Sequence, residues 1–394
     1  MKTDQLFQQL SVESQVLFLL CRTELNTDEK AQIVAKTSTL FDWKRFVALA
    51  VRTHLAAFAA RNFRKIPAII LPEKTKLALK AYQFNIISYN AQLFNEFDLL
   101  ANACSAKGIF IAPLKGIYLA EKMYPDANVR QLSDIDVLFA PQDKVAFLST
   151  ADELGWAIKT HQYKSKFHEK YQSFHAPYQG YKGKLTLDIH NKLMPELFSF
   201  RMPIEQVIAR CQPVPFRTAT ILELDPIDLI IYTALHAYKH LFFGELKVSS
   251  LVDVYLLVQQ HTDQLTSEEL TARCTSYSAK KEVFTILGCV QSIMPLSPND
   301  FLATLPITES EALIERVLFH VIEGTKISFK DQLHINLFHR HTERFSWKQL
   351  QLNWYDIFPS KAYLDWAQGT NSYWKNWSYR YLRLFYRLKG IKKK

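Results

Sequence analysis

Only ten glycines and fifteen prolines interrupt a chain of 394 residues, so long stretches meet nothing that breaks a helix. That scarcity argues for a largely helical molecule and against a glycine-rich sandwich or barrel. Apolar residues recur at spacings of three and four through Leu17, Leu20, Phe46, Leu49, Ala50 and Leu55, and again through Ile86, Leu93, Phe97 and Leu100. Residues 1–105 therefore read as an N-terminal helical region. After Asp225, Pro226 suits a first helical turn, and the chain reads helical almost to its end.

The middle of the chain reads differently. Asn102 to Lys107 breaks the helical pattern ahead of the apolar run Ile109 to Ala112, a buried-strand signal. A helical patch, Gly116 to Tyr124, is stopped by Tyr124-Pro125-Asp126. Asp134 to Phe139 alternates polar and apolar, which is a strand. Residues 143–154 form an amphipathic pattern closed by Gly155. The stretch 156–187, polar and holding Gly180 and Gly183, reads as a hairpin leading into the strand Lys184 to His190. Pro213, Pro215 and Pro226 mark a connection. The expected architecture is α+β: a small mixed-sheet core over 106–215, flanked by helical regions at 1–105 and 216–394.

Composition excludes several classes. Hydrophobic residues make up 48% and charged residues 22%, the balance of a soluble globular protein rather than a disordered one. Five widely spaced cysteines, without a C-x-x-C pair, argue against a disulfide framework or structural zinc and fit a reducing cytoplasm. The first residues lack an apolar core, so no secretory signal is expected, and no run approaches the roughly 18 apolar residues of a spanning helix. The formal charge of +10 is concentrated at the end: from Trp366 onward there are eight basic residues and no acidic one. Net charge alone therefore makes no case for nucleic acid. Trp374, Trp377, Tyr381, Leu384, Phe385 and Leu388 fall near one helical face with Arg380, Arg383 and Arg387. Packing on the domain is the preferred reading of that segment, and peripheral membrane contact is the other. No phosphate-loop, dinucleotide-binding or serine-hydrolase motif is present.

Asp134 and Asp136 lie two apart in a strand, so their side chains leave the same face. Adjacent carboxylates repel unless a cation sits between them, and hard oxygen ligands suit magnesium. An isolated D-x-D is as compatible with a solvated strand end. Its surroundings favour chemistry. Leu114-Lys115-Gly116 opens a helix whose free N–H groups can meet an anion. Lys115 and Arg130 stand where they can neutralise phosphate, with Ser133 beside the pair, and Asp188 brings a third carboxylate from a further strand. Three carboxylates around two metal ions can align an attacking hydroxyl and a departing pyrophosphate. His236 and His240, one helical turn apart, have a spacing able to share a metal, but no third ligand accompanies them.

The ordered string L-K-G, Y-P, R-x-x-S-D-I-D-V-L and L-D-I-H resembles the uncharacterised nucleotidyltransferase family, a branch of the polymerase-beta superfamily. Leu114, Lys115 and Gly116 match its first element, Tyr124 and Pro125 the second, Arg130 the third, Asp134 and Asp136 the fourth, and Asp188 and His190 the last. The likeness extends to His236, His240 and Asp253 and, weakly, to Phe358-Pro359-Ser360. It implies a nucleotidyltransferase core with Asp134, Asp136 and Asp188 as catalytic magnesium ligands. Lys115, Gly116, Arg130, Ser133, His190 and His240 would lie against the substrates, and a nucleoside triphosphate, ATP first among them, would donate a nucleotidyl group to an unidentified acceptor. Asp188 would hold the metal nearer the acceptor or take its proton, and His190 either orients a ligand or is a hydrogen-bonded sheet histidine. Where other superfamily members carry Gly-Ser, this chain has Lys115-Gly116, so the lysine stands in for a hydroxyl that usually touches phosphate. A transferase acting on tRNA and a catalytically silent nucleotide-binding protein are the alternatives. Replacing Asp136 with Asn is expected to abolish transfer while leaving thermal stability near that of the parent.

Overall fold

The computed structural model describes residues 5–328 apart from 39, 161–174, 191, 196–197, 243–245, 295–300 and 306–311, and beyond them 331, 360, 361 and 364. The aromatic basic segment from Trp366 and the Phe358-Pro359 pair lie outside the described residues.

Six helices precede the first strand: α1 (Gln5–Gln9), α2 (Val12–Leu20), α3 (Thr27–Thr37), α4 (Trp43–Arg52), α5 (Ala56–Phe63) and the 34-residue α6 (Glu73–Ala106). Their starts follow local chemistry. Asn26 and Glu29 exchange side-chain and backbone bonds in a capping box at α3, and Asp42 accepts from the Arg45 N–H at α4. Helix α6 stops at Lys107 and Gly108, where φ is +73°.

The sheet follows. Strands β1 (Ile111–Pro113), β2 (Ile135–Phe139), β3 (Ala157–Thr160), β4 (His175–Lys182) and β5 (Leu185–His190) pair in the order β1-β2-β5-β4-β3. Only β2 and β5 run parallel among these neighbours; the other three pairings are antiparallel. Helix α7 (Gly116–Lys122) links β1 to the approach to β2, and α8 (Lys144–Glu153) crosses from β2 to β3. The α+β expectation holds: a mixed five-stranded sheet has helices before and after it. Each residue of β2 is buried, so this strand is the spine of the core. Gly180 is required by close approach: a Cβ there would meet Leu187 at 3.2 Å and the Trp156 ring at 3.3 Å.

Beyond the sheet come α9 (Ile204–Arg210), a hairpin of β6 (Gln212–Phe216) and β7 (Ala219–Glu223), then α10 (Pro226–Phe242), α11 (Val248–Gln260), α12 (Ser267–Ser276), α13 (Lys280–Ile293), α14 (Phe301–Thr304) and α15 (Ala312–Glu323). The hairpin corrects the reading of Pro213 and Pro215 as a bare connection. The two prolines alternate along β6, so the N–H groups they lack are those that point away from β7. Pro226 opens α10 as expected, with Asp225 Oδ1 accepting from the N–H groups of Ile227 and Asp228. Helices α10, α11 and α13 pack on one another, and α6 packs on β7 and α5.

At the end of α15, Glu323 accepts from the Ser11 N–H at 2.9 Å and from Arg45 Nη2 at 2.8 Å, which ties that helix to α2 and α4. All five cysteines are buried and free. No helix among the described residues is long and apolar enough to cross a membrane.

Candidate active site

Strand pairing builds the centre of the site. In the parallel register Asp136 lies directly opposite Asp188, and Leu138 opposite His190. Asp134 precedes β2 and shares the Asp136 face because side chains alternate. The three carboxylates converge on one pocket of about 230 Å³, walled by the β1–α7 turn, the segment Arg130–Asp134, α10 and the start of α11, with His54 from the N-terminal helices. Its rim is exposed at Ser133 and Lys247, while Asp136 on its floor is buried.

Lys115 dominates that floor. Its ammonium lies 2.9 Å from Asp136 Oδ1 and 3.1 Å from His236 Nε2. An ammonium has only protons to offer, so His236 Nε2 accepts and the imidazole is neutral. Burial, then the neighbouring Lys115 and Lys239 charges, hold His236 well below its ordinary pKa. The Asp136 Oδ1 atom also accepts from His190 Nε2 at 2.9 Å, which places His190 as a fully buried sheet histidine beneath the carboxylate. Burial works against ionised Asp136, but Lys115 and the His190 hydrogen bond outweigh it and hold the carboxyl well below the usual range.

The other two carboxylates have less help. Burial first, then the Asp136 and Asp134 charges, push Asp188 up to about 7, although Gln179 Nε2 donates to it at 2.8 Å. Asp134 is raised by burial and by Asp136, and accepts from the Ser133 hydroxyl at 2.9 Å. The mutual repulsion is that of an acidic cluster with one cation, Lys115, in its midst. Among the described residues no three His, Cys, Asp or Glu side chains are gathered at ligating spacing for a metal ion.

Arg130 lines the same pocket, but two of its nitrogens are already engaged. Its Nε and Nη2 each donate to Asp253 at 2.8 Å, and the same Asp253 accepts from the Tyr124 hydroxyl at 2.7 Å. The family-matching Tyr124, Arg130 and Asp253 thus join as a buried clamp between the loop before β2 and α11. Arg130 Nη1 lies 3.4 Å from where a Gly116 Cβ would sit, with Leu132 at 3.3 Å, so glycine is needed there for closeness and not for an unusual φ. His240 lines the pocket. Burial and the Lys239 and Lys115 charges pull it down to about 3. Its ring packs 4.5 Å from that of His236, whose Nε2 is already engaged by Lys115.

Sequence reasoning missed several lining residues: His54, Gln131, Thr233, Lys239, Lys247, Ser249 and Ser250. One signal was available, because Thr233, His236 and His240 are polar interruptions at helical spacing in the largely apolar α10.

Residues 39–295 match the uncharacterised nucleotidyltransferase family, a span that holds each of these site residues. The chain belongs to that family. No curated protein and no solved structure matches it.

Proposed function

We propose that the chain is a magnesium-dependent nucleotidyltransferase that moves a nucleoside monophosphate from a triphosphate, ATP first among them, to a hydroxyl or phosphate acceptor. The carrying observation is the β2–β5 register, which sets Asp136 beside Asp188 with Asp134 on the same face of one pocket. Membership of a nucleotidyltransferase family supports a triphosphate substrate.

The three carboxylates offer the hard oxygen ligands that magnesium takes, once Lys115 has left Asp136. Asp134, Asp136 and Asp188 would hold the ion, which supplies charge neutralisation at the reacting phosphate. The chain's own residues do the rest. Lys115 brings an ammonium to the phosphates, an assignment that requires it to exchange Asp136 for the substrate. The acceptor oxygen bonds to the α-phosphorus, the bond from that phosphorus to the bridging oxygen breaks, and pyrophosphate leaves. Asp188, the carboxyl most ready to hold a proton near neutrality, takes the one the acceptor hydroxyl loses. Asp136, held ionised by its neighbours, is suited to binding and not to proton transfer. A cytoplasmic setting fits the five free, buried cysteines.

Pyrophosphate release, measured with each of the four nucleoside triphosphates and a panel of hydroxyl and phosphate acceptors, tests the reading. Release that needs magnesium and disappears in Asp188→Asn supports it. A protein that binds no triphosphate in the presence of magnesium sinks it.

A further inference from the structure

Helix α11 begins at the pocket with its positive end uncovered. Lys247 is its N-cap residue, no side chain caps it, and no acidic residue stands in its first turn. The Ser250 N–H reaches Lys247 O at 2.9 Å, whereas those of Val248 and Ser249 are among the donors that a helical ladder leaves unused. Lys247, Ser249 and Ser250 all line the pocket. The 13 residues of α11 stand behind this end, and their aligned peptide dipoles favour negative charge in front of it.

A helix end alone is satisfied by water. Two further observations ask for a ligand. Thr233, on the facing helix α10, lines the same pocket and is only 3% exposed, yet its hydroxyl has no hydrogen-bond partner among the described residues. A buried hydroxyl left unpaired beside a cavity is accounted for by an oxygen that arrives with a ligand. Lys247 is the second. Of the cations around the pocket, Lys115 is held by Asp136 and Arg130 by Asp253. Lys247 is exposed at the rim and makes no hydrogen bond or ion pair among the described residues. Its charge still reaches inward and acts on Asp134, His240 and His54. The acid that α11 itself contributes, Asp253, is already taken by Arg130 and Tyr124. This wall therefore offers donors and positive charge.

We propose that Lys247, with the α11 N-terminus and the hydroxyls of Ser249, Ser250 and Thr233, seats the two terminal phosphates of the triphosphate, an inference that rests on the nucleotidyl-transfer reading above. The α-phosphorus has to meet the acceptor at the carboxylates. The charges felt most at Asp188, the proton acceptor of that reading, are those of Asp136, Asp134 and Lys115. The α11 end thus borders the Asp134 side, where the departing half of the substrate lies. When the α-phosphorus parts from the bridging oxygen, the electron pair stays on that oxygen and the pyrophosphate gains charge. Donors and a cation already in place bind it more tightly as the bond breaks. Lys115 has to leave Asp136 before it can serve, whereas Lys247 has nothing to release.

The test is equilibrium binding, with magnesium, of the α,β-methylene analogues of the four triphosphates, of the monophosphates and of inorganic tripolyphosphate. The proteins are the parent chain, Lys247→Arg, Lys247→Met and the Ser249→Ala, Ser250→Ala double variant. Lys247 is exposed and unbonded, so Lys247→Met is expected to melt with the parent, and lost binding is then not lost folding. Lys247→Met should weaken the triphosphate analogues and tripolyphosphate by about tenfold or more, and Lys247→Arg by less than about threefold. The double serine variant should fall between them. Monophosphates should bind each protein equally, whether strongly or weakly. A loss under about threefold in Lys247→Met, or an equal loss of monophosphate binding, overturns the assignment. A parent that binds a triphosphate analogue no better than its monophosphate overturns it too. A parent that binds neither a triphosphate analogue nor tripolyphosphate overturns the transferase reading itself, and this seat with it.

Discussion

Arg130 grips Asp253 through two parallel 2.8 Å hydrogen bonds across 123 residues of sequence. This fork joins the loop that delivers Asp134 to the helix that forms the far wall of the pocket. A guanidinium so engaged positions the site and does not meet phosphate with its Nε or Nη2. Lysine cannot reproduce the fork. Arg130→Lys is therefore expected to lose about 2 kcal/mol of stability, read as a lower denaturant midpoint at unchanged slope. Unaltered stability together with lost triphosphate binding would return Arg130 to the role of phosphate ligand.

The Lys115–Asp136 contact changes what Asp136→Asn should do. Both partners are largely out of water, with side-chain exposures of 13% and 3%. Removing the carboxylate charge strands a buried ammonium, at a cost of about 3 kcal/mol. The substitution is thus expected to lower the melting temperature as well as abolish transfer, contrary to what the strand pattern alone suggested. Lys115→Met added to Asp136→Asn should restore much of the stability and none of the activity. A double variant no more stable than the single one would show that the pair is not coupled.

Acid should loosen α15 first at Glu323. Burial disfavours its charge, but hydrogen bonds from the Ser11 N–H, from Ser14, from Arg45 and from the Ser11 hydroxyl hold the carboxyl below its ordinary value. A depressed carboxyl contributes stability above its unfolded pKa, about 4.3, and loses that contribution as pH falls through the lower folded value. Thermal midpoints recorded from pH 7 down to pH 3 should fall more steeply for the parent than for Glu323→Gln below about pH 4.5. Parallel curves would remove Glu323 from the acid response.

Gly116→Ala probes closeness without backbone strain. The added methyl would meet Leu132 at 3.3 Å and Arg130 at 3.4 Å. Overpacking of this kind is expected to cost about 1 kcal/mol and to weaken triphosphate binding by shifting the Arg130–Asp134 loop. Binding and melting measured on the one variant decide it, and no change in either would show that the loop yields freely.

What was legible in the sequence was whatever short-range pattern encodes. Alternation marked β2 and, by parity, put Asp134 and Asp136 on one face; Gly155 and Gly183 stand at φ of +83° and +60°, where turns were expected, whereas the break expected over Asn102–Lys107 comes only at Lys107–Gly108, because α6 runs on to Ala106. The β6–β7 hairpin was hidden because prolines ordinarily speak against a strand, and only the pairing reveals that Pro213 and Pro215 face outward. Helix α4 ends on His54, a residue that carries no stop signal of its own. The Arg130–Asp253 fork and the Lys115–Asp136–His190 chain join residues far apart in sequence, and no local periodicity predicts which charge a buried cation will choose. The lysine in place of the superfamily's serine was visible, but its seat on the carboxylate was not.

That seat has a practical corollary. An acidic floor that already holds an internal ammonium leaves less repulsion for a divalent ion to relieve. Chelator-treated preparations should keep their melting temperature, and metal content after purification will report neither integrity nor competence. Under the proposed transfer, inactive material of this chain is best judged after magnesium and nucleotide are supplied together, since that pair would offer both a replacement for the lysine and somewhere for the lysine to go.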